Sequence, residues 1–200
     1  MDRIYNGYRN NNAFYRDSYR RSNLGSEHSL MVNSERLFAA LPSFDMRLEH
    51  NANYSQTLEF VLDGTPAGGS AADKVVVQLS SSKSTTFIYD ENRGRYAVEQ
   101  HGRRHIDGNN NEQLHSVNVL VLKTHISGIP GDDAGRRRID TVGSGTGYFI
   151  NGGRYVEINW SRASNDDQFR YTLTDGSTLQ LGRGNSYICI IPLDSDVRFE

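Results

Sequence analysis

The chain has little of the material from which cross-links or membrane segments are made. Among its 200 residues there is one cysteine, Cys189, which excludes an internal disulfide framework. Since Cys189 lies inside the apolar run at residues 187–191, it is predicted to be a small core residue. No run approaches the ~20 apolar residues of a transmembrane helix, and neither an apolar signal core nor a lipobox cysteine follows Met1.

A strong excess of charge of one sign is also absent. The sequence has 22 Lys and Arg against 24 Asp and Glu, a net charge of -2, which gives no general attraction to nucleic acid or anionic lipid. Mean hydropathy is low, at -0.64, but 11 tyrosines and 8 phenylalanines can supply large buried areas. A domain of this length removes roughly 70% of its unfolded surface from water, so a stable core requires neither metal nor disulfide.

Catalytic signatures are missing too. The sequence contains no G-x-S-x-G, H-E-x-x-H or C-x-x-C motif and no paired-carboxylate motif. Residues 143–147 have a G-x-G-x-G spacing, but residues 148–150, which follow, are typical of a strand. A nucleotide-binding loop needs a helix there, so a turn, bulge or close strand crossing is predicted. We therefore expect no cofactor and no metal, and a binding module rather than an enzyme.

What the sequence does contain is a series of short apolar runs separated by turns. Runs of about 5–8 residues rich in β-branched and aromatic types indicate strands. Such runs lie at residues 58–62, 74–80, 85–90, 95–100, 118–122, 143–150, 155–160, 169–173 and 187–191. Gly94 predicts a hairpin turn over residues 91–94. The pattern predicts an α+β fold that is β-rich, with mostly antiparallel strands.

A helix and a polar arm precede these strands. Residues 34–41 are predicted to form a helix, with Asn33 or Ser34 as its cap. Residues 1–32 are rich in arginine and aromatic residues but poor in aliphatic ones, so they cannot form a core of their own. They are predicted to pack on the domain formed by residues 33–200, or on a missing upstream domain.

Interleaved arginines and aromatic rings also occur in proteins that bind single-stranded nucleic acid. Residues 3–21 have this pattern, but Asp2, Asp17 and Glu27 dilute the positive charge. We therefore expect no nucleic-acid partner.

The densest titratable group is at His105 and Asp107. Two residues apart on one strand, they share a face and could act together as a general acid and base. With His115 or Glu112 nearby they could also hold a metal ion, although the two arginines just before His105 would repel a cation. Structural hydrogen bonding is the favoured interpretation.

Other polar residues fall where strands are predicted to end. Trp160 and Arg162 follow one strand, and such an indole either lines a carbohydrate or peptide groove or caps the edge of a core. Arg16 and His28 could join a site from the arm or simply tether it. Binding sites are usually assembled from loops, so we predict one ligand-binding set. It consists of Arg16, His28, His105, Asp107, Trp160 and Arg162.

Several segments, taken in order, carry a family resemblance. They are FYRD at 14–17, EHSL at 27–30, FIYD at 87–90, GRRHID at 102–107, QL at 113–114, NVLV at 118–121, VGSG at 142–145, NGG at 151–153, NW at 159–160, DG at 175–176 and ICIIP at 188–192. Together they resemble the C-terminal part of the YerB-like family of predicted bacterial lipoproteins, over roughly residues 10–195. No single motif among them is diagnostic.

The resemblance implies a mixed sandwich of two β layers and a helical layer, located on the extracytoplasmic face of the cell envelope. Its longer members carry an export signal and a further N-terminal domain. The chain is therefore expected to be one half of such a protein, with the missing domain as a partner and with membrane attachment only through an absent lipid anchor. The family has no established activity. We expect an envelope-associated module for a cell-wall or peptide ligand; the alternative is a cell-wall-directed hydrolase or transferase with His105 as base and Asp107 as its orienter.

Overall fold

The computed structural model describes residues 13–44, 48–49, 52 and 55–200. Contacts divide the chain into two units, Met1–Ser55 and Gln56–Glu200, and each unit is described by itself. Residues 1–12, which hold much of the predicted basic arm, lie outside the described residues. The division between the units falls after Ser55.

The first unit contains short helices and one antiparallel ladder. Its elements are β1 (Phe14–Arg16), α1 (Ser18–Leu24), a 3-10 turn (Glu27–Ser29), β2 (Leu30–Val32), α2 (Ser34–Ala40) and a second 3-10 turn (Leu41–Phe44), with β1 paired to β2. The predicted helix is confirmed as α2, and the Asn33 side chain caps it by accepting a hydrogen bond from the Arg36 N–H at 2.9 Å. Among the described residues, no helix is long and apolar enough to cross a membrane.

The second unit is built almost entirely of strands. They are β3 (Glu59–Val61), β4 (Ser70–Ala71), β5 (Lys74–Ser80), β6 (Lys83–Asp90), β7 (Arg95–Gln100), β8 (Arg103–Arg104), β9 (His115–Ser116), β10 (Asn118–Thr124), β11 (Ile126–Gly128), β12 (Arg137–Ile139), β13 (Gly143–Asn151), β14 (Arg154–Arg162), β15 (Arg170–Leu173), β16 (Gln180–Gly182), β17 (Ser186–Pro192) and β18 (Val197–Phe199). The β-rich class is confirmed. The glycine run at 143–147 lies inside β13, where a Cβ on Gly147 would lie 2.1 Å from the Val121 carbonyl oxygen, so it is a close strand approach rather than a turn.

Two large sheets organise these strands. Sheet I has the order β15-β14-β13-β10-β17, with β4 on β14, and sheet II has the order β18-β5-β6-β7-β8, with β9 on β7. Most neighbours are antiparallel, as predicted. The exceptions are the β10–β17 and β3–β16 pairs, which are parallel. Hydrophobic patterning specifies which face of a strand is buried but not the direction of its neighbour, so these two pairings were not predictable from it.

Strand β10 is buried on both faces. Val119 and Val121 belong to one apolar cluster, which also contains Val75 and Phe87 of sheet II. The alternate residues of β10, Leu120 and Leu122, belong to a second cluster on the opposite face of sheet I, together with residues of β14 and β16. This double burial explains why β10 is a continuous apolar run rather than an alternating one.

Cys189 lies in the cluster that contains Val121, its neighbour in the β10–β17 ladder. Its burial confirms the prediction of a core residue, and burial raises the pKa of the thiol to about 12. The nucleophilic thiolate is therefore scarce at pH 8.

We expect iodoacetamide to alkylate Cys189 in the native protein at least about 100-fold more slowly than in the urea-unfolded chain at pH 8. Equal rates in the two states, measured by mass spectrometry, would show that β17 does not stay packed on β10.

Candidate functional site

Four turns of the second unit meet around one open cleft. One turn follows β3, and the other three join β6 to β7, β13 to β14 and β16 to β17. The cleft has a volume of about 330 Å³. We call it the arginine cleft, and the lining residues that matter for its chemistry are Tyr89, Arg93, Arg95, Asn151, Gly152 and Arg183.

Close backbone packing fixes the position of the turn after β3. A Cβ atom on Gly64 would lie 2.2 Å from the backbone nitrogen of Gly182, so no side chain can be accommodated there. A Cβ on Gly152 would lie 1.9 Å from Thr65 Oγ1, and Gly152 also has a φ of +58°, which favours glycine. These glycines let three of the four turns touch directly.

A buried asparagine network supports the same wall. Asn118 is 0% exposed, and its Nδ2 donates to the carbonyl oxygen of Gly182 at 2.8 Å and to Ser186 Oγ at 3.2 Å. Its Oδ1 accepts from the Gly182 N–H and from Asn151 Nδ2, both at 2.8 Å. One side chain therefore joins β10, β13, β16 and β17, and holds Asn151 and Gly182 at the cleft.

The guanidinium group of Arg93 contacts neighbouring side chains, whereas those of Arg95 and Arg183 contact no hydrogen-bond or ion-pair partner among the described residues. Arg93 Nε lies 3.5 Å from Asp90 Oδ2, and its Nη1 lies 3.4 Å from His115 Nε2. His115 Nδ1 is 2.8 Å from a backbone carbonyl oxygen, so Nδ1 carries the proton and Nε2 accepts from Arg93. Arg95 and Arg183 are exposed, and within residues 56–200 their guanidinium groups form no hydrogen bond or ion pair.

A second open cleft, of about 500 Å³, adjoins the arginine cleft and shares Tyr89 and Gly152 with it. Its lining includes Arg154, whose Nη1 donates to the Gly69 carbonyl oxygen at 2.8 Å, and two carboxylates, Asp73 and Glu91, for which we call it the acidic cleft. Both are exposed, and neither carboxylate has a hydrogen bond or ion pair with any described residue. The pKa of Tyr89 is raised, first by burial and then by nearby carboxylates, Glu91 foremost among them.

Asp63 lines the arginine cleft but is already engaged. It accepts a hydrogen bond from the Thr65 N–H at 2.9 Å. Hydrogen bonds from the side chain and the backbone of Thr65 lower the pKa of the Asp63 carboxyl group. The carboxylate therefore stabilises the turn after β3, and it forms no ion pair with Arg95 or Arg183.

Trp160 and Arg162, which the sequence placed in the ligand-binding set, lie on β14 with their polar groups satisfied. Trp160 is 3% exposed, and its Nε1 donates to the Lys123 carbonyl oxygen at 3.0 Å. The indole is thus a core residue, the second of its two sequence interpretations. Arg162 Nε donates to the Asp167 carbonyl oxygen at 2.8 Å, and its guanidinium lies 5.2 Å from the centre of the Phe169 ring.

His105 and Asp107 lie between β8 and β9, beside sheet II. The Nδ1 atom of His105 is buried without a hydrogen-bond partner in the described part of the chain. Asp107 Oδ1 accepts from the backbone N–H and from Nδ2 of Asn109, at 2.8 and 3.0 Å, and so closes a turn. No hydrogen bond joins His105 to Asp107. The described residues also contain no group of three His, Cys, Asp or Glu side chains that could hold a metal ion.

The remaining two predicted residues lie in the first unit. Arg16 Nη1 donates to Ser29 Oγ at 3.3 Å and to the Ser26 carbonyl oxygen, which fastens the segment before β2. His28 is part of the 3-10 turn in the same segment. Within residues 56–200, no hydrogen bond, ion pair or ring contact joins the Trp160–Arg162 pair to the His105–Asp107 pair.

The sequence did not predict a role for the arginines of the cleft. A signal was present, however, because two of them, Arg93 and Arg95, flank Gly94 in the predicted hairpin turn.

Comparison with known proteins identifies the family but not an activity. The model of the family described as "Protein of unknown function (DUF3048) C-terminal domain" matches residues 75–188. The fold is similar to that of the crystal structure of YerB protein from Bacillus subtilis, with a TM-score of 0.73 and 19% sequence identity. The match covers 93% of this chain and 59% of that chain, so the chain spans about three fifths of the length of YerB.

A search of curated proteins finds no match. At 19% identity, the likeness to YerB shows the fold alone. The family model, in contrast, covers more than half of the chain and includes three of the four turns around the arginine cleft. The chain therefore belongs to the DUF3048 family of proteins of unknown function, which confirms the YerB-like resemblance of its sequence.

Proposed function

We propose that this domain is a non-enzymatic binding module, and that it holds an anionic group of its ligand in the arginine cleft. The observation that carries the proposal is the pair Arg95 and Arg183, two exposed guanidinium groups without partners in the described residues, facing one open cleft. A guanidinium group is a planar fork of donors that matches a carboxylate or a phosphate. An ion pair with Asp90 and a hydrogen bond to His115 keep Arg93 at the same wall.

The wall behind these arginines is rigid, as a binding site requires. The Asn118 side chain fixes the turn that carries Arg183, and close packing of Gly64 on Gly182 fixes the turn after β3. Arg183 itself donates its backbone N–H to the Val61 carbonyl oxygen at 2.8 Å. Because the backbone of this wall is already fixed, binding needs to order only the side chains of Arg95 and Arg183, which limits the conformational entropy lost.

The proposal extends to the setting that the family resemblance implies. We assign the module to the extracytoplasmic face of the cell envelope, with a cell-wall or peptide ligand and a lipid-anchored longer parent. We also propose that sheets I and II form the two layers of a sandwich. This is supported by one apolar cluster that contains residues of both sheets.

The alternative is a hydrolase or transferase with His105 as base. One observation favours it, since a buried Nδ1 without a partner is unusual and occurs more often at functional sites. Its orienting residue, Asp107, is however bonded to Asn109 in this structure. Turnover of a cell-wall substrate that disappears in His105→Ala would support this alternative over the binding module.

A titration with inorganic phosphate and with acetate tests the anion site. We expect amide NMR shifts to concentrate at residues 90–95 and 182–185, and either Arg95→Gln or Arg183→Gln to weaken binding about 10-fold, because each removes a charged hydrogen bond. Arg170→Gln, which changes an exposed arginine on β15, is the matched control. Equal affinities for all three variants, or shifts spread over other arginines, would overturn the proposed function.

A further inference from the structure

We propose that the ligand of the arginine cleft is zwitterionic, with its anionic group at Arg95 and Arg183 and a primary amine at Asp73 and Glu91 of the acidic cleft. This inference rests on the proposed function and names the chemical class of its ligand. The class is a short chain with a carboxylate at one end and an ammonium group at the other, such as an amino acid or a peptide with an amine side chain.

Shared walls make the two clefts neighbours. Tyr89 and Gly152 line both, so a ligand that lies across them reaches both sets of charges. Tyr89 stands at the junction with its ring 5.1 Å from that of Tyr96, which holds it half-buried. Its phenol ring gives the middle of an extended ligand an apolar surface, and Gly152 adds no side chain to obstruct it.

One hairpin carries charges of both signs. The turn between β6 and β7 presents Glu91 to the acidic cleft and, a few residues on, Arg93 and Arg95 to the arginine cleft. Asp73 is fixed to the start of this turn, because its carbonyl oxygen accepts the Tyr89 N–H at 2.7 Å. Within this hairpin the carboxylate and the two guanidinium groups line different clefts, while outside it Arg154 lines the acidic cleft and Asp63 lines the arginine cleft.

The free carboxylates argue for an amine rather than for a second anion or a metal ion. A second anionic group beside Asp73 and Glu91 would be repelled, since charges within about 8 Å act on one another at physiological ionic strength. A metal ion would need further ligands, and no three suitable side chains converge anywhere in the described residues. An ammonium group can donate up to three hydrogen bonds, and two unpaired carboxylates can accept them.

Binding of a series of unbranched ω-amino carboxylates tests the inference. Each compound is compared by calorimetry with its N-acetyl derivative and with its methyl ester. We expect affinity to peak at one chain length, because both ends must reach their partners, and N-acetylation to weaken the best compound at least about 10-fold. In Asp73→Asn/Glu91→Gln the N-acetyl and free-amine forms should bind equally well, whereas Glu157→Gln, which changes an exposed carboxylate on β14, should keep the difference.

The outcomes separate the inference from the proposed function. If N-acetyl and free-amine compounds bind the unmodified protein equally and both lose affinity in Arg95→Gln, the anion site stands and the zwitterionic ligand is wrong. If none of the carboxylates binds at any length but inorganic phosphate still does, the zwitterionic ligand is wrong and the anion site stands. If neither the carboxylates nor phosphate binds, both are wrong. Thermal unfolding of each variant shows whether a lost signal reflects loss of the fold.

Discussion

Asn118→Ala is expected to lower the free energy of unfolding by about 4 kcal/mol, the largest effect of any single substitution at the cleft. The substitution leaves three buried groups without partners: the N–H and C=O of Gly182, and the Nδ2 of Asn151. Each such group costs about 1–3 kcal/mol when it is neither bonded nor hydrated. The loss should be measured by urea unfolding, with fluorescence of the single, buried Trp160 as the probe.

Asn159→Ala is the control for this experiment. Asn159 is exposed on β14 and forms no hydrogen bond through its side chain to any described residue, so its replacement should change stability by no more than about 0.5 kcal/mol. If Asn118→Ala unfolds at the same urea concentration as Asn159→Ala, water must take the place of the missing amide. The asparagine network would then not be needed to hold the four strands together.

Gly64→Ala is expected to cost about 3 kcal/mol and to abolish binding in the arginine cleft. The three atoms nearest to an added Cβ, at 2.2, 2.6 and 3.0 Å, belong to the backbone of Leu181 and Gly182. Backbone cannot rotate away as a flexible side chain does, so the turn after β3 must separate from the β16–β17 turn. The Val61 carbonyl oxygen then moves away from the Arg183 N–H, and Arg183 loses its position.

Gly108→Ala shows whether such a loss is specific. Nothing lies within 4 Å of a Cβ at Gly108, and its backbone is outside the left-handed region. Alanine there should be neutral or slightly stabilising, because it restricts the unfolded chain. A Gly64→Ala protein with normal stability and normal anion affinity would falsify the role of close glycine packing in forming the cleft.

Local patterns predicted the elements well. β5 and β7 begin and end at the predicted residues, and α2 begins after its predicted cap, Asn33. These features depend on alternation, turn residues and caps that lie within a few positions of one another in the sequence. The parallel β10–β17 pair depends instead on residues about 68 positions apart, and alternation carries no signal for it.

The candidate site was less predictable for the same reason. His105 and Asp107 drew attention as the densest titratable group because they are close in sequence. Arg95 and Arg183, in contrast, share a cleft only because the β16–β17 turn is held beside sheet II. That arrangement depends on Asn118, which bonds Gly182 from 64 residues away, and on Asn185, whose Nδ2 donates to the His115 carbonyl oxygen of β9 in sheet II. The ligand roles of Arg16, His28, His105, Asp107, Trp160 and Arg162 stay predictions, although the side chains of Trp160 and Arg162 are occupied by the protein's own groups.

The strand order has a consequence for synthesis on the ribosome. β17 completes sheet I on β10, and β18 completes sheet II on β5, so residues 186–199 supply an outer strand to each sheet. Until they emerge, the nascent chain presents an unpaired flank of β10 and another of β5, the kind of edge on which aggregation begins. At about 5–20 residues per second the exposure lasts seconds, long enough for chaperones to bind. Both sheets are therefore complete only after residues 186–199 have been made, and a chain that stops before residue 186 leaves one flank of β10 and one flank of β5 unpaired.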